Sequence, residues 1–87
     1  MANEIPPLRD GQEPLPGYRY LVRDGRKIKF RGNGASAIAA IIHMEAAGDT
    51  AEETAGDMSL PLAAILEAKH LFETNQEEVA YFYAERH

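Results

Sequence analysis

The pair Asp24-Gly25 constrains the fold of this chain more than any other feature of its sequence. Runs of β-forming residues flank the pair within residues 18–31, and glycine readily adopts the positive φ that a tight hairpin turn requires. A type I′ turn centred on the pair places Arg23 opposite Arg26 and Leu21 opposite Ile28. One face then carries Leu21, Ile28 and Phe30 and is expected to pack on helices, whereas the other carries Tyr18, Tyr20, Lys27, Lys29 and Arg31.

The segment before the hairpin is rich in proline. Four of the five prolines precede Tyr18, which excludes a helix or a central strand there. We interpret residues 1–17 as an extended proline-rich arm, loosely held at the terminus, although Ile5, Leu8 and Leu15 could pin it to a surface. Residues 18–87 are too few for two hydrophobic cores, so we expect a single domain.

Glycines and capping residues divide the rest of the chain into helices. Residues 35–47 are helix formers that Gly48 terminates, and a short second helix ends at Gly56. A capping pair opens that second helix, formed by Asp49 or Thr50 with Glu52 or Glu53. Ser59 is the expected N-cap of a third helix over residues 60–73, and Thr74 or Asn75 begins a fourth that runs to Arg86.

These elements predict an α+β fold that is mainly α. An N-terminal β-hairpin precedes a three-helix helix-turn-helix unit and a C-terminal helix, because a helix, a glycine turn, a short helix and a longer helix follow in that order.

Several short motifs lie within residues 25–79: Gly25-Arg-Lys-Ile28, Arg31-Gly32-Asn33, Leu60-Pro-Leu-x-x-Ile-x-x-Ala68, Phe72 and Glu78-Val79. In these motifs the chain resembles the family known as domain of unknown function 433. The chain departs from the family at Gly34, where arginine is usual, and at Lys69, where an apolar residue is usual. The resemblance implies an antitoxin-like protein that is paired with a nuclease resembling PIN domains.

The charge is unevenly distributed along the chain. The net charge is −5, yet seven of the nine Lys and Arg residues lie within residues 1–31, and ten of the fourteen acids follow that segment. Any phosphate contact is therefore expected from the hairpin. The nucleic-acid-binding candidates are Arg19, Arg23, Arg26, Lys27, Lys29 and Arg31. The alternative is a solvated strand face whose lysines protect a sheet edge from pairing. The third helix has Lys69 as its sole cation, which disfavours major-groove reading by that helix.

Three aromatic residues follow Val79 in the C-terminal helix. Successive side chains lie about 100° apart around a helix, so these aromatics cannot all face one core. Exposed tyrosine is a typical anchor of protein interfaces. The partner-binding candidates are Tyr81, Tyr83, Glu77 and Glu78.

No catalytic set stands out in the sequence. Neither serine is accompanied by a base and an orienting group, and Glu67-x-x-His70 is half of a di-iron motif without its second copy. We expect no enzyme activity, no metal and no cofactor. The lack of cysteine and of a long apolar run favours a cytoplasmic protein without membrane contact, and the small core favours a homodimer.

The sequence therefore predicts an antitoxin-like protein that binds and neutralises a PIN-like nuclease toxin and represses its own operon. Two alternatives stay open: a small DNA-binding transcriptional regulator, and a phage-type inhibitor or adaptor that acts by protein-protein binding.

Overall fold

A computed structural model describes residues 5–85 of the protein. The chain forms a three-stranded antiparallel sheet followed by four helices, so the predicted α+β, mainly α fold is confirmed. The strands are β1 (Gln12–Pro14), β2 (Leu21–Asp24) and β3 (Lys27–Phe30), in the order β1-β2-β3. The helices are α1 (Ala37–Ala47), α2 (Ala51–Met58), α3 (Leu62–Thr74) and α4 (Gln76–Glu85). None of the helices between residues 5 and 85 is both long and apolar enough to cross a bilayer.

The hairpin forms where predicted, but its register is shifted by two residues. Asp24 pairs with Lys27 and Leu21 with Phe30, so the central turn residues are Gly25 and Arg26. Gly25 has φ +64°, whereas Arg26 lies outside the positive-φ region. Glycine at the first central position is the pattern of a type II′ turn, which explains why the expected type I′ pairing was wrong. A shift of two residues leaves the same side chains on each face.

The arm supplies a strand that the sequence did not predict. β1 pairs with β2 at the edge of the sheet, where Pro14 is tolerated because an edge strand can leave one backbone side unpaired. Gln12 fixes this segment: its Nε2 donates to the Asn33 carbonyl at 2.8 Å, and its Oε1 accepts from the amides of Arg9 and Gly32. The first four residues of the predicted arm lie outside the described residues.

The core lies between the sheet and the helices. Leu21, Ile28 and Phe30 are buried together on the face predicted to meet the helices. Ile41 of α1 and Ile65 of α3 are fully buried in the same cluster. α3 packs against both α1 and α2, which gives the first three helices the arrangement of a helix-turn-helix unit.

Two of the predicted helix boundaries are confirmed in atomic detail. Gly48 ends α1 in the left-handed region at φ 72°. Thr50 and Glu53 form the reciprocal capping box of α2. α4 begins after Asn75, whose Oδ1 accepts from the Glu78 amide at 3.4 Å, and its expected continuation to Arg86 lies outside the described residues.

The prediction that Ser59 is the N-cap of α3 was wrong. α2 does not stop at Gly56 but continues to Met58, and Ser59 is its C-cap in the left-handed conformation at φ 56°. α3 starts later, at Leu62, after Pro61, which makes no side-chain capping bond. A small polar residue between two helices fits either role, and here the turn geometry selects the C-cap.

Replacing Ser59 with glycine is expected to stabilise the protein by about 1 kcal/mol, because glycine adopts the left-handed region without a Cβ penalty. Urea denaturation measures the change. The matched substitution Ser36→Gly removes a true N-cap, whose Oγ accepts from the Ala39 amide, and is expected to give no gain. Destabilisation by Ser59→Gly would contradict the left-handed assignment.

Candidate functional site

Three of the six predicted nucleic-acid-binding side chains form ion pairs or hydrogen bonds within the protein. Lys29 Nζ lies 3.3 Å from the carboxylate of Asp24. Arg31 Nε donates to the Pro6 carbonyl at 2.7 Å. Arg23 forms an ion pair with Glu78 at 2.6 Å, which ties β2 to α4. These contacts join the arm, the hairpin and α4.

The other three cations are exposed but do not form one continuous surface. Arg26 and Lys27 lie at the hairpin tip, whereas Arg19 precedes β2, beside α3. Tyr18 and Tyr20, which were expected on the same hairpin face, do not lie there, because regular strand structure begins only at Leu21. Tyr20 is buried in the core, and the Tyr18 hydroxyl lies 2.8 Å from His70 Nδ1. The structure therefore does not assemble the interleaved cationic and aromatic face.

A groove of about 440 Å³ separates the hairpin tip from α4, and we call it the hairpin–α4 groove. Arg26 and Lys27 come from the hairpin, and Ser36 and Ala39 come from the start of α1. α4 contributes Glu78, Tyr81, Phe82 and Glu85. This groove brings together members of the two residue sets that the sequence predicted separately, the hairpin cations and the partner-binding residues of α4.

Tyr81 makes two contacts in the hairpin–α4 groove, one across it to the hairpin and one within α4. The guanidinium carbon of Arg26 lies 4.1 Å from the centre of the Tyr81 ring, a cation–π arrangement. The Tyr81 hydroxyl donates to Glu85 Oε2 at 3.2 Å. Cations, carboxylates and aromatic rings thus line one concave surface.

Of the remaining partner-binding candidates, Tyr83 and Glu77 are exposed, whereas Glu78 lies in the hairpin–α4 groove. Tyr83 is 46% exposed, and its ring meets Phe82 edge-on at a centroid distance of 6.0 Å. Glu77 is exposed, and Glu78 is half-buried by its ion pair with Arg23. Val79 is buried. α4 therefore presents both an exposed tyrosine and one wall of a groove.

The half-motif Glu67-x-x-His70 proves to be a tertiary contact that sequence reasoning missed. The two carboxylate oxygens of Glu67 accept from the backbone amides of Arg19 and Tyr20, at 3.1 and 2.8 Å. His70 contacts the Tyr18 hydroxyl one turn later. Both donor amides lie outside any regular element, so only the unusual Glu-x-x-His spacing could have marked this helix face.

The outer face of α3 is left with apolar side chains. Leu62 is 39% exposed and Leu66 is 50% exposed, one turn apart on the helix. Lys69 is exposed further along, and Glu67 is already bound to the segment before β2. Base readout requires donors and acceptors aimed at base edges, so this face does not suit a DNA groove.

The next question is where the structure places the residues of the described chain that could bind a metal or act as nucleophiles. Within residues 5–85, no cluster of three His, Asp or Glu side chains could hold a metal ion. Ser36 Oγ is used as a helix cap, and Ser59 lies in the turn between α2 and α3.

Comparison with known proteins finds no protein-family model, no curated protein and no solved structure that matches this chain.

The substitution Glu67→Gln is expected to destabilise the protein by about 2 kcal/mol, because one amide donor would then face another and a charged acceptor is lost. Urea denaturation followed by circular dichroism measures the loss. Glu73→Gln, an exposed change on the same helix, serves as the control and should leave stability unaltered. Equal stability of the two variants would show that the Glu67 contact does not hold the sheet to α3.

Proposed function

We propose that this protein acts by binding another protein, and that its partner is a basic, nucleic-acid-handling protein such as a PIN-like nuclease toxin that it neutralises. The charge on the helices carries the proposal. Residues 37–85 contain ten carboxylates and one cation, Lys69. In the described part of the chain, Glu78 is the sole one of these ten that forms an ion pair. Such a surface complements the positive groove in which a nuclease holds nucleic acid and steers the two proteins together.

The hairpin–α4 groove and the adjacent Tyr83 are the proposed contact surface. Glu78 and Glu85 lie in the groove beside Arg26 and Lys27, and their charge disfavours a phosphate backbone there. Mixed charge around aromatic rings instead suits a protein surface, where aromatic anchors lie among satisfied polar groups. Neutralisation would follow from steric blocking of the nuclease groove and requires no chemistry from this chain.

The alternative functions also require binding, but each requires a different partner. A phage-type inhibitor would use the same acidic helices against a host enzyme. A DNA-binding regulator, or autoregulation of an operon, would need the hairpin cations, of which Lys29 and Arg31 are already engaged. A homodimer belongs to the same proposal, with the exposed Leu62 and Leu66 of α3 as its contact.

The experiment that tests the proposal is capture of the partner on the immobilised protein from the native cell. Support requires a basic nuclease that binds with saturable stoichiometry and loses activity as the protein is added. Recovery of DNA at physiological salt, without a protein partner, would contradict the proposal and favour the regulator.

The double substitution of Tyr81 and Tyr83 by Ser is expected to weaken partner binding by about 2 kcal/mol or more, because both rings supply contact area at low entropic cost. Calorimetry measures the affinity, and circular dichroism checks that the fold is retained. The control is Leu62→Ser with Leu66→Ser, which changes exposed residues on α3 instead. If only the control pair weakens binding to the nuclease, the contact surface is α3 and the assignment to α4 is wrong.

A further inference from the structure

α4 is joined to α3 through one residue, Asn75. α3 ends at Thr74 and α4 begins at Gln76, and Asn75 lies between them at φ −116° and ψ 77°. These angles lie outside the α-helical region, yet the Asn75 amide still donates to the Leu71 carbonyl at 2.8 Å, as it would within an α-helix. A change in the backbone angles of this residue would therefore join α3 and α4 into one continuous helix.

Side chains make the hydrogen bonds at this bend. Gln76 Nε2 donates to the carbonyls of Phe72 and Glu73, at 3.4 and 3.1 Å. Asn75 Oδ1 accepts from the Glu78 amide at 3.4 Å. In a continuous helix the carbonyls of Phe72 and Glu73 would accept from the backbone amides four residues further on. Straightening thus exchanges long side-chain hydrogen bonds for backbone ones to the same acceptors.

Side chains of the hairpin hold α4 in its position. Glu78 pairs with Arg23 at 2.6 Å, and the guanidinium of Arg26 lies 4.1 Å from the centre of the Tyr81 ring. Within residues 76–85, Val79 alone is buried, so the apolar packing that opposes removal of α4 is limited. A straightened helix would carry α4 away from its own hairpin. The hairpin would then expose a surface that matches α4 of a second, identical chain.

We propose that two copies of the chain exchange α4 by domain swapping. Each hairpin–α4 groove then combines the hairpin and α1 of one copy with α4 of the other. Because the exchange re-forms the contacts of α4 with the hairpin, the hinge conformation and the entropy of association decide the balance between monomer and dimer. A connection of one residue favours exchange, since short hinges cannot easily relieve a sharp bend. This inference does not depend on the proposed nuclease.

Charge reversal at the Arg23–Glu78 ion pair tests the exchange. Arg23→Glu and Glu78→Arg each place like charges across this contact, both in a single chain and in a swapped dimer of one variant. When the two variants are mixed, a swapped heterodimer pairs the introduced carboxylate with the introduced guanidinium, and keeps the native ion pair at its second contact. Native mass spectrometry should show at least about tenfold more heterodimer than homodimer of either variant.

A matched pair of variants controls for the change in net charge. Arg19→Glu and Glu77→Arg make the same charge changes at exposed positions outside the ion pair, and should give the statistical proportion of heterodimer. The proposal is overturned if the Arg23 and Glu78 variants form no excess of heterodimer, or if the control pair forms an equal excess. Circular dichroism checks that each variant is folded.

Substitutions at the hinge provide a second test that leaves the ion pair intact. Asn75→Ala favours a continuous helix and Asn75→Gly opposes it, because alanine is the better helix former. Analytical ultracentrifugation should give a dimer dissociation constant at least about fivefold lower for Asn75→Ala than for Asn75→Gly. Glu73→Ala and Glu73→Gly are the controls and should not differ, because residue 73 is helical in both forms. Equal dissociation constants for the two Asn75 variants, or a wild-type protein that is monomeric at millimolar concentration, would overturn the proposal.

Discussion

The contact of Glu67 with two consecutive amides fixes how the sheet sits on the helices. The carboxylate lies near the middle of α3, and the amides of Arg19 and Tyr20 lie just before β2, so one side chain joins elements 47 and 48 residues apart in sequence. A charged acceptor satisfies donors that have no strand partner there. The same contact engages one polar side chain of α3, whereas Leu62 and Leu66 remain exposed on that helix together with Lys69 and Glu73.

Rules that use residues close in sequence predicted most of the fold. They failed where two alternative local structures satisfy the same rule. The hairpin faces and the Thr50 capping box follow from periodicity and side-chain chemistry within a few residues. The register of the hairpin does not follow from these rules. A shift of two residues preserves the buried face, and only the turn type distinguishes the two pairings. Ser59 was misassigned since N-caps and left-handed C-caps accept similar residues. β1 was missed because its pairing with β2 and its Gln12 contacts are non-local.

The candidate site was predicted in its components but not in its assembly. Tyr81 and the hairpin tip were both singled out from sequence, yet nothing local showed that Arg26 stacks on the Tyr81 ring across 55 residues of chain. The predicted cationic face assumed that a strand extends back to Tyr18. It begins at Leu21 instead, and the preceding tyrosines turn towards the core and α3. Long side chains find partners through the tertiary fold, which alternation along a strand cannot reveal.

The division of charge within the molecule links the fold to its proposed partner. Arg23, Lys29 and Arg31 are used to join the arm, the sheet and α4, so much of the positive half of the sequence stabilises the interior arrangement. The carboxylates of the helices are mostly left without cations and face outwards. Their summed field extends about 10 Å at moderate salt, which is far enough to orient an approaching basic protein but not to select it. Selection of the proposed partner must then come from short-range contacts, for which we propose the hairpin–α4 groove lined by Tyr81.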